Sequence, residues 1–547
     1  HKAPDPPVRF DLAIGFHDGT VWPADGMFSV SAASGKLHLT PERLDLLEVK
    51  GTRENGQLSA TGHFTFAGAA PQMALHVVAN NISMDRALYA MLPIDGRKAW
   101  DEVRPSGTGD AVIDFQGPLA PPDVSPVASA SPKVELPAGM FDGFHAVLTP
   151  RKLSVKVKTV PYPLTFTSGT VTIEPGHAIL KDMVGTHGKG KFVVSGEGTL
   201  SAASAWNLFV HAENLPADDE LRAAMPPVLR DVVDGLKLNG TLGFDFPKLT
   251  YRVSQSTDAD PDVDVAGTLS LKDGSLDAGM PLTKIQGALQ FSASTRQGKF
   301  QSLTGTMALD SLSIGDRPVR DLRLDLLRTP GRNDLHLDHL RAKVAGGELG
   351  GLATLTFPDQ GANSYTMTLV ARDVDVKTLT GETDQDIRGE LTASLSLEGK
   401  WGDTAARRGR GDVVVAGKQL YRIPLMLGLL QVTNLSLPIG QPFTKGTARY
   451  TVEGNRVNFE QMDLRAEGMM MTGSGYLDFA TKQVHMNLAT DNPGGFKIPF
   501  LSELWQGARQ ELLRITVEGT VQDPKVQPTT LGVISTTVDQ VFKGEKK

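Results

Sequence analysis

No cysteine occurs in the 547 residues. That removes disulfides, thiolate nucleophiles and zinc–thiolate sites together, and it leaves the compartment open. Aromatic residues make up only 6% of the chain, with 5 Trp and 7 Tyr. Such scarcity speaks against an outer-membrane barrel, whose strands carry aromatic girdles at both interfaces. Basic residues are not in excess: 55 Lys and Arg against 62 Asp and Glu give a net charge of −7. A nucleic-acid partner needs a cationic footprint to displace counterions, so none is expected here. The densest basic run, Arg407-Arg408-Gly409-Arg410, reads as a short solvated turn in a Gly-rich loop. The longest apolar stretch, Ile423 to Leu435, is broken by Pro424 and Gly428 and is too short to span a bilayer. No signal peptide is visible, and the chain begins at His1. The expectation is an anchor or signal in a segment absent from this chain.

Catalytic signatures are missing too. No histidine is followed by Glu, so there is no HExxH zinc helix, and no Gly-x-Ser-x-Gly elbow occurs. Gly185 to Lys191 (GTHGKGK) has the look of a phosphate loop, but Gly190 stands where Ser or Thr must hold magnesium, so it reads as a β-turn. His336 and His339 are three apart, and in an unbroken strand they point to opposite faces, which disfavours a metal site. Asp373 and Asp375 share a face and stand where strand gives way to helix, a place for caps. No catalytic residue, metal or cofactor is expected.

What the chain has in quantity is Gly (57), Pro (34) and alternation. Leu58, Ala60, Gly62, Phe64 and Phe66 face one way while Ser59, Thr61, His63 and Thr65 face the other. Leu391, Ala393, Leu395 and Leu397 repeat the pattern against Glu390, Thr392, Ser394, Ser396 and Glu398. Val484, Met486 and Leu488 follow it, as do Ile515 and Val517. Period two over so many segments means a mainly β protein whose sheet is apolar on one face and wetted on the other.

Four segments also share one plan: a glycine-led strand, a polar turn, an apolar strand, then Asn or Asp before a short helical stretch. They start at Gly62, Gly198, Gly351 and Gly475, and the Asn or Asp follows after roughly 16 to 22 residues. Repeats of this kind cannot bury their apolar faces alone and must stack into one elongated, curled antiparallel sheet with a few short helices. Helices are expected within Pro216 to Asp234, broken at Pro226-Pro227, and over Ser502 to Leu513. The Met469-Met470-Met471 triplet suits apolar surface that meets variable ligands.

The expected organisation is an N-terminal segment over 1–117, a Pro/Ser-rich loop over 118–139, a middle segment over 140–330, a C-terminal region over 331–530 and an amphipathic tail over 531–547. Further breaks are expected at Ser254 to Asp262 and Thr329 to Asn333.

Residues Gly411 to Pro528 carry a glycine–strand–turn–strand core, an Ile498-Pro499-Phe500 element and the closing VEGTVQDPK (Val517 to Lys525). In these the chain resembles the C-terminal region of AsmA-like proteins, the AsmA, YhdP and TamB type of Gram-negative envelopes. The resemblance implies a repeating β-groove, apolar inside, that moves phospholipid from inner to outer membrane while anchored in the inner membrane and exposed to the periplasm. The partners implied are phospholipid and membranes at one or both ends. Lining residues expected on this reading are Leu58, Phe64, Phe66, Leu391, Leu395 and Leu397. In the C-terminal region they are Leu477, Phe479, Met486, Leu488, Ile515 and Val517. The alternative is a structural or assembly factor for outer-membrane biogenesis, built as a closed β-sandwich or solenoid array. Strands of six or seven residues would make a trough about 20 Å across, and some 25 of them would reach roughly 120 Å before twist.

Overall fold

A computed structural model describes residues 9–22, 27–67, 71–92, 94–118, 143–158, 160–200, 203–225, 230, 233–253, 260–277, 281–315, 317–358, 360–380, 388–418, 443–466, 469–491, 513–520 and 523–529. The protein is mainly β and antiparallel, with few short helices, as its alternation requires. Its residues divide into two units. One comprises 1–234, 239–271 and 290–301, and the other 235–238, 272–289 and 302–547.

The first unit carries β1 (Leu12–Val21), β2 (Val30–Leu39), β3 (Arg43–Arg53), β4 (Gly56–Thr65), β5 (Gln72–Ser83) and β6 (Ser106–Pro118). It continues with β7 (Phe144–Val155), β8 (Leu164–Glu174), β9 (His177–His187), β10 (Gly190–Thr199), β11 (Ala205–Pro216) and β12 (Asn239–Arg252). Each strand pairs antiparallel with the next, so the chain runs as a simple meander. Strands β13 (Asp262–Asp277), β14 (Pro281–Arg296) and β15 (Lys299–Ile314) have residues in both units.

The second unit carries β16 (Arg317–Arg328), β17 (Asp334–Val344), β18 (Gly347–Thr356), β19 (Ser364–Asp375), β20 (Arg388–Lys400) and β21 (Asp403–Lys418). Then come β22 (Lys445–Glu453), β23 (Arg456–Ala466), β24 (Met469–Asp478), β25 (Gln483–Asp491), β26 (Leu513–Thr520) and β27 (Pro524–Thr529). It is a second antiparallel meander. Among the described residues β1 pairs only with β2, and β27 only with β26. Most strands hold 9 to 16 residues rather than six or seven.

A meander gives each unit two margins, because odd strands end at one and even strands at the other. The margin after odd strands carries the helices: α1 (Arg86–Met91) and α2 (Ile94–Val103) after β5, α3 (Asp219–Ala224) after β11 and α4 (Val376–Thr380) after β19. We call it the helix margin. The other, the turn margin, has short connections at 329–333, 401–402 and 454–455.

Each helix is reached through the same local device. Its strand bulges after an inward alanine, at Ala79, Ala212 and Ala371, and the pairing resumes at Ile82, Leu215 and Val374. Inside the bulge Asn81, Asn214 and Asp373 take left-handed φ values of 54°, 57° and 54°. Asn and Asp tolerate that region better than other residues with a Cβ. The bulge slips the alternation by one residue, so the next apolar side chain turns inward and is buried, to 5%, 0% and 1% exposure respectively. Of the two aspartates expected to cap, Asp375 does and Asp373 does not. Asn81, Asn214 and Asp373 form the bulge, and later aspartates cap. Asp85 accepts from the Leu88 N–H at 2.8 Å, Asp218 from Leu221 at 2.9 Å and Asp375 from Thr378 at 2.7 Å.

Two other readings change. Arg407 to Arg410 lie inside β21, not in a turn, because Gly409 faces the apolar side while Arg408 meets Glu398 and Glu453 across the polar side. His336 and His339 share the polar face, because β17 bulges between Leu337 and Leu340, with His339 at φ 53°. The Gly185 to Lys191 segment turns β9 into β10 through Gly188, at φ 56°. The stretches 119–137 and 423–435, the tail 531–547 and the expected helix at 502–512 lie outside the described residues.

Candidate functional site

Directly paired residues in an antiparallel ladder point to the same face, so the register reads out each face across the strands. In the second unit one row runs Leu340, Gly351, Leu369, Leu395, Gly411, Tyr450, Phe459, Gly475, Met486, Val517, Val526, from β17 to β27. The row beside it runs Leu326, Leu337, Ala353, Met367, Leu397, Gly409, Val452, Val457, Leu477, Val484, Gly519. Neither row contains a charged residue. Glycine recurs where a bulky partner needs room. A Cβ on Gly475 would strike the His485 carbonyl and the Met486 side chain.

The first unit repeats this. Leu58, Ala79, Ala111, Leu148, Val171, Leu180, Gly196, Leu208 and Leu249 form one row from β4 to β12. Phe64 belongs to a row with Leu12, Leu39, Leu44 and Met73. The reverse face is polar. In the second unit Glu398, Arg408, Glu453, Arg456 and Asp478 pair in sequence with alternating sign.

Accessibility decides what the apolar rows can do. Leu58, Phe64, Leu391, Leu395, Leu397 and Leu477 are half-buried, while Phe66 is 44% exposed and Phe479 55%. A residue in a closed sandwich core is sealed from water on this face; these eight are not. Met486, Leu488 and Val517 differ, at 1%, 2% and 0% exposure. Ile515 stands in β26 opposite Leu488. The apolar face is therefore accessible over β4 and β20 and closed over the β25–β26 pair. Of the methionine triplet, Met471 is buried at 4% beside Leu464, not presented to a ligand.

The helix margin is dry. Tyr162, Phe192, Ala212, Leu215, Ala217, Leu221 and Leu242 form a buried cluster, with Leu221 supplied by α3. Two cations on this side are paired. Arg53 meets Asp85 at 2.5 Å and stacks on Phe28, 4.4 Å from the ring centre. His187 meets Glu220 at 2.8 Å. Burial alone raises the Asp85 carboxyl, but the Leu88 N–H and the Arg53 guanidinium outweigh it and hold the group below the usual carboxylate range.

The turn margin is finished differently. The residue just beyond several even strands keeps strand hydrogen bonding. The N–H of Phe66 reaches the Glu42 carbonyl, that of Phe357 reaches Asn333, that of Trp401 reaches Asn363 and that of Phe479 reaches Asn455. Alternation from Phe64, Leu355, Gly399 and Leu477 puts all four aromatics on the apolar face. Phe357 and Trp401 lie 6.0 Å apart between ring centres, with the Arg328 guanidinium 5.9 Å from the Phe357 centre.

No group of three or more His, Asp or Glu residues among the described residues has the geometry to hold a metal ion. No described helix is long and apolar enough to cross a membrane. Family models, curated proteins and solved structures were all compared with the chain, and none matches it.

Proposed function

We propose that this protein carries phospholipid by a non-enzymatic, bridge-like mechanism, holding acyl chains along the apolar face of its sheet between the inner and outer membranes of a bacterial envelope. The carrying observation is the set of uncharged rows that cross strand after strand, in which Leu337, Met367, Leu369, Leu395, Leu397 and Leu477 are half-accessible to water. Burying a methylene is worth roughly 0.8 kcal/mol, so a sixteen-carbon chain in water costs on the order of 12 kcal/mol. A path for such a chain has to stay apolar at every step. The two rows through Leu395 and Leu397 meet that condition from β17 to β26. The resemblance of Gly411 to Pro528 to AsmA-like proteins points the same way, to a periplasmic protein anchored in the inner membrane.

Organic extraction of the purified protein, read by mass spectrometry, is expected to release phospholipid. Lipid-free protein from a lipid-rich host would overturn the reading. Leu395→Asp and Leu477→Asp are expected to abolish crosslinking to a photoactivatable lipid, while Thr392→Asp on the polar face leaves it intact. A closed structural or assembly module is favoured locally by one observation, the buried Met486, Leu488 and Val517. On the proposed reading, that pair of strands is an end or a constriction of the path.

A further inference from the structure

The polar face of the second unit carries cations that the sheet itself does not neutralise. The register sets Arg323 of β16 opposite Arg341 of β17, followed by Gly350 of β18 and Val370 of β19. The row beside it runs Arg320, Lys343, Glu348, Arg372. Like charges directly opposite each other destabilise a ladder, so the Arg323–Arg341 pair is a local cost. Elsewhere on this face the signs alternate, as from Glu398 to Asp478. Composition does not explain the concentration either, since the whole chain is acidic at −7. A local rule broken without internal compensation points to a ligand. We propose that the polar face of β16–β19 binds a phosphate group, clamped by Arg341 and Arg372 above Gly350.

Three features make this a site rather than a charged surface. The first is a floor. An open depression of about 550 Å³ takes in Gly350 and is lined by Asp321, Arg341, Lys343, Glu348, Leu352 and Arg372. Packing does not demand the glycine, because a Cβ there would meet only the Leu340 carbonyl oxygen, at 3.6 Å. The second feature is the supply of donors. Lys343 is committed to Asp321 at 2.9 Å. Arg341 and Arg372 are exposed, and their side chains have no hydrogen bond or ion pair among the described residues. The third is reach. The two arginines come from the strands on either side of β18, about 10 Å apart by strand spacing. Two guanidiniums close that span on an oxyanion held between them. The surplus positive field registers on Asp321. Its carboxyl is held below the usual range first by the Lys343 hydrogen bond and charge, and further by Arg323 and Arg320.

A phosphate monoester fits this chemistry, being a compact dianion with an oxygen pair for each guanidinium fork. A free phosphate ester and the headgroup of phosphatidic acid both present it. Leu352, 51% exposed at the depression, offers an apolar contact to the organic part of either. The site lies on the face opposite the apolar rows, so it stands or falls independently of the groove.

The first probe is glycerol 3-phosphate, titrated calorimetrically into the full chain at constant ionic strength. Arg341→Gln and Arg372→Gln are each expected to weaken binding about tenfold or more. Gly350→Glu sets a carboxylate between the two guanidiniums, and is expected to abolish binding while leaving stability in urea equal or higher. Arg449→Gln, on the same face but paired with Asp412 outside the depression, is expected to leave binding unchanged. The second probe is vesicles of phosphatidylcholine, with and without phosphatidic acid. Retention on the acidic vesicles that Gly350→Glu removes would support the site and assign the phosphate to a lipid headgroup. Glycerol 3-phosphate binding without that retention would support it and assign a free ester. The site is overturned if neither probe responds to Gly350→Glu, or if Arg449→Gln weakens binding as much as Arg341→Gln does. Phospholipid released by organic extraction from the Gly350→Glu protein reports on the groove alone, so the two readings fail separately.

Discussion

The helix margin and the turn margin edge the same apolar face, yet they treat it in opposite ways. At the helix margin a bulge, a buried aliphatic residue and a capped helix bring a second layer against the sheet, as where Leu221 of α3 joins Leu215 and Leu242. At the turn margin, described connections such as 401–402 and 454–455 are short, and Phe66 and Phe479 remain exposed at the strand ends. The lesson concerns the division of labour in a one-layer sheet. Stability is concentrated where the face is covered, and the uncovered remainder is free to take a ligand. Removing side chains from the two regions should therefore have unequal effects.

The largest difference is expected between Leu215 and Leu395. Leu215→Ala empties a fully buried site and should cost about 2–5 kcal/mol. Leu395→Ala removes a half-exposed side chain and should cost under about 1 kcal/mol while weakening lipid capture. Urea denaturation of both variants measures the gap. Equal costs would mean that the face at Leu395 is covered in solution, and the contrast between the regions would collapse.

Next in size are the caps. Asp218→Ala leaves the Leu221 N–H without its acceptor and should cost about 0.5–2 kcal/mol. Asp85 adds a pH signature. Its folded pKa is depressed, so its contribution is present above the unfolded value of about 3.9 and is lost as pH falls through the lower folded value. Asp478 at the turn margin is depressed as well, first by the Thr481 N–H and also by that of Ala480, without the largely buried guanidinium partner that Asp85 has. Acid titrations of Asp85→Asn and Asp478→Asn should show the larger loss of slope below pH about 4 in the first. A larger loss in the second would place the acid-sensitive structure at the turns.

The alternation of Leu391, Leu395 and Leu397 was enough to read the fold class and the sidedness of the sheet, because period two is a direct consequence of the pleat. The helix margin was less legible. Ala-x-Asn/Asp followed by an apolar residue recurs at Ala79, Ala212 and Ala371, but its meaning depends on a left-handed φ that composition does not display. That same slip of one residue hid the shared face of His336 and His339. Gly409 shows a further limit. Three arginines around a glycine look like a loop until their neighbours are known, and only the pairing with Glu398 and Glu453 makes them a strand. Accessibility was the least legible property. Met486 and Leu395 sit in the same row with the same chemistry, and nothing local distinguishes the buried one from the open one.

The smallest expected effect tests the dryness of the helix margin by a single atom. Tyr162 is 7% exposed, its ring 5.8 Å from Phe192 and 4.2 Å from His187, and its hydroxyl is buried without a hydrogen-bond partner. Burial, and then the nearby Asp218 and Glu220 charges, push its pKa up to about 12. Between the ordinary tyrosine value of about 10 and that raised value, the unfolded chain has released a proton that the folded chain keeps. Stability must therefore fall as pH rises through this window. Tyr162→Phe removes both the stranded hydroxyl and the titration. It is expected to change stability at neutral pH by less than about 1 kcal/mol, toward greater stability, and to flatten the alkaline slope. Denaturation at neutral pH and again near pH 11 separates the two effects. A Phe variant that is clearly less stable at neutral pH would show that the hydroxyl is bonded, and that water reaches the margin described here as sealed.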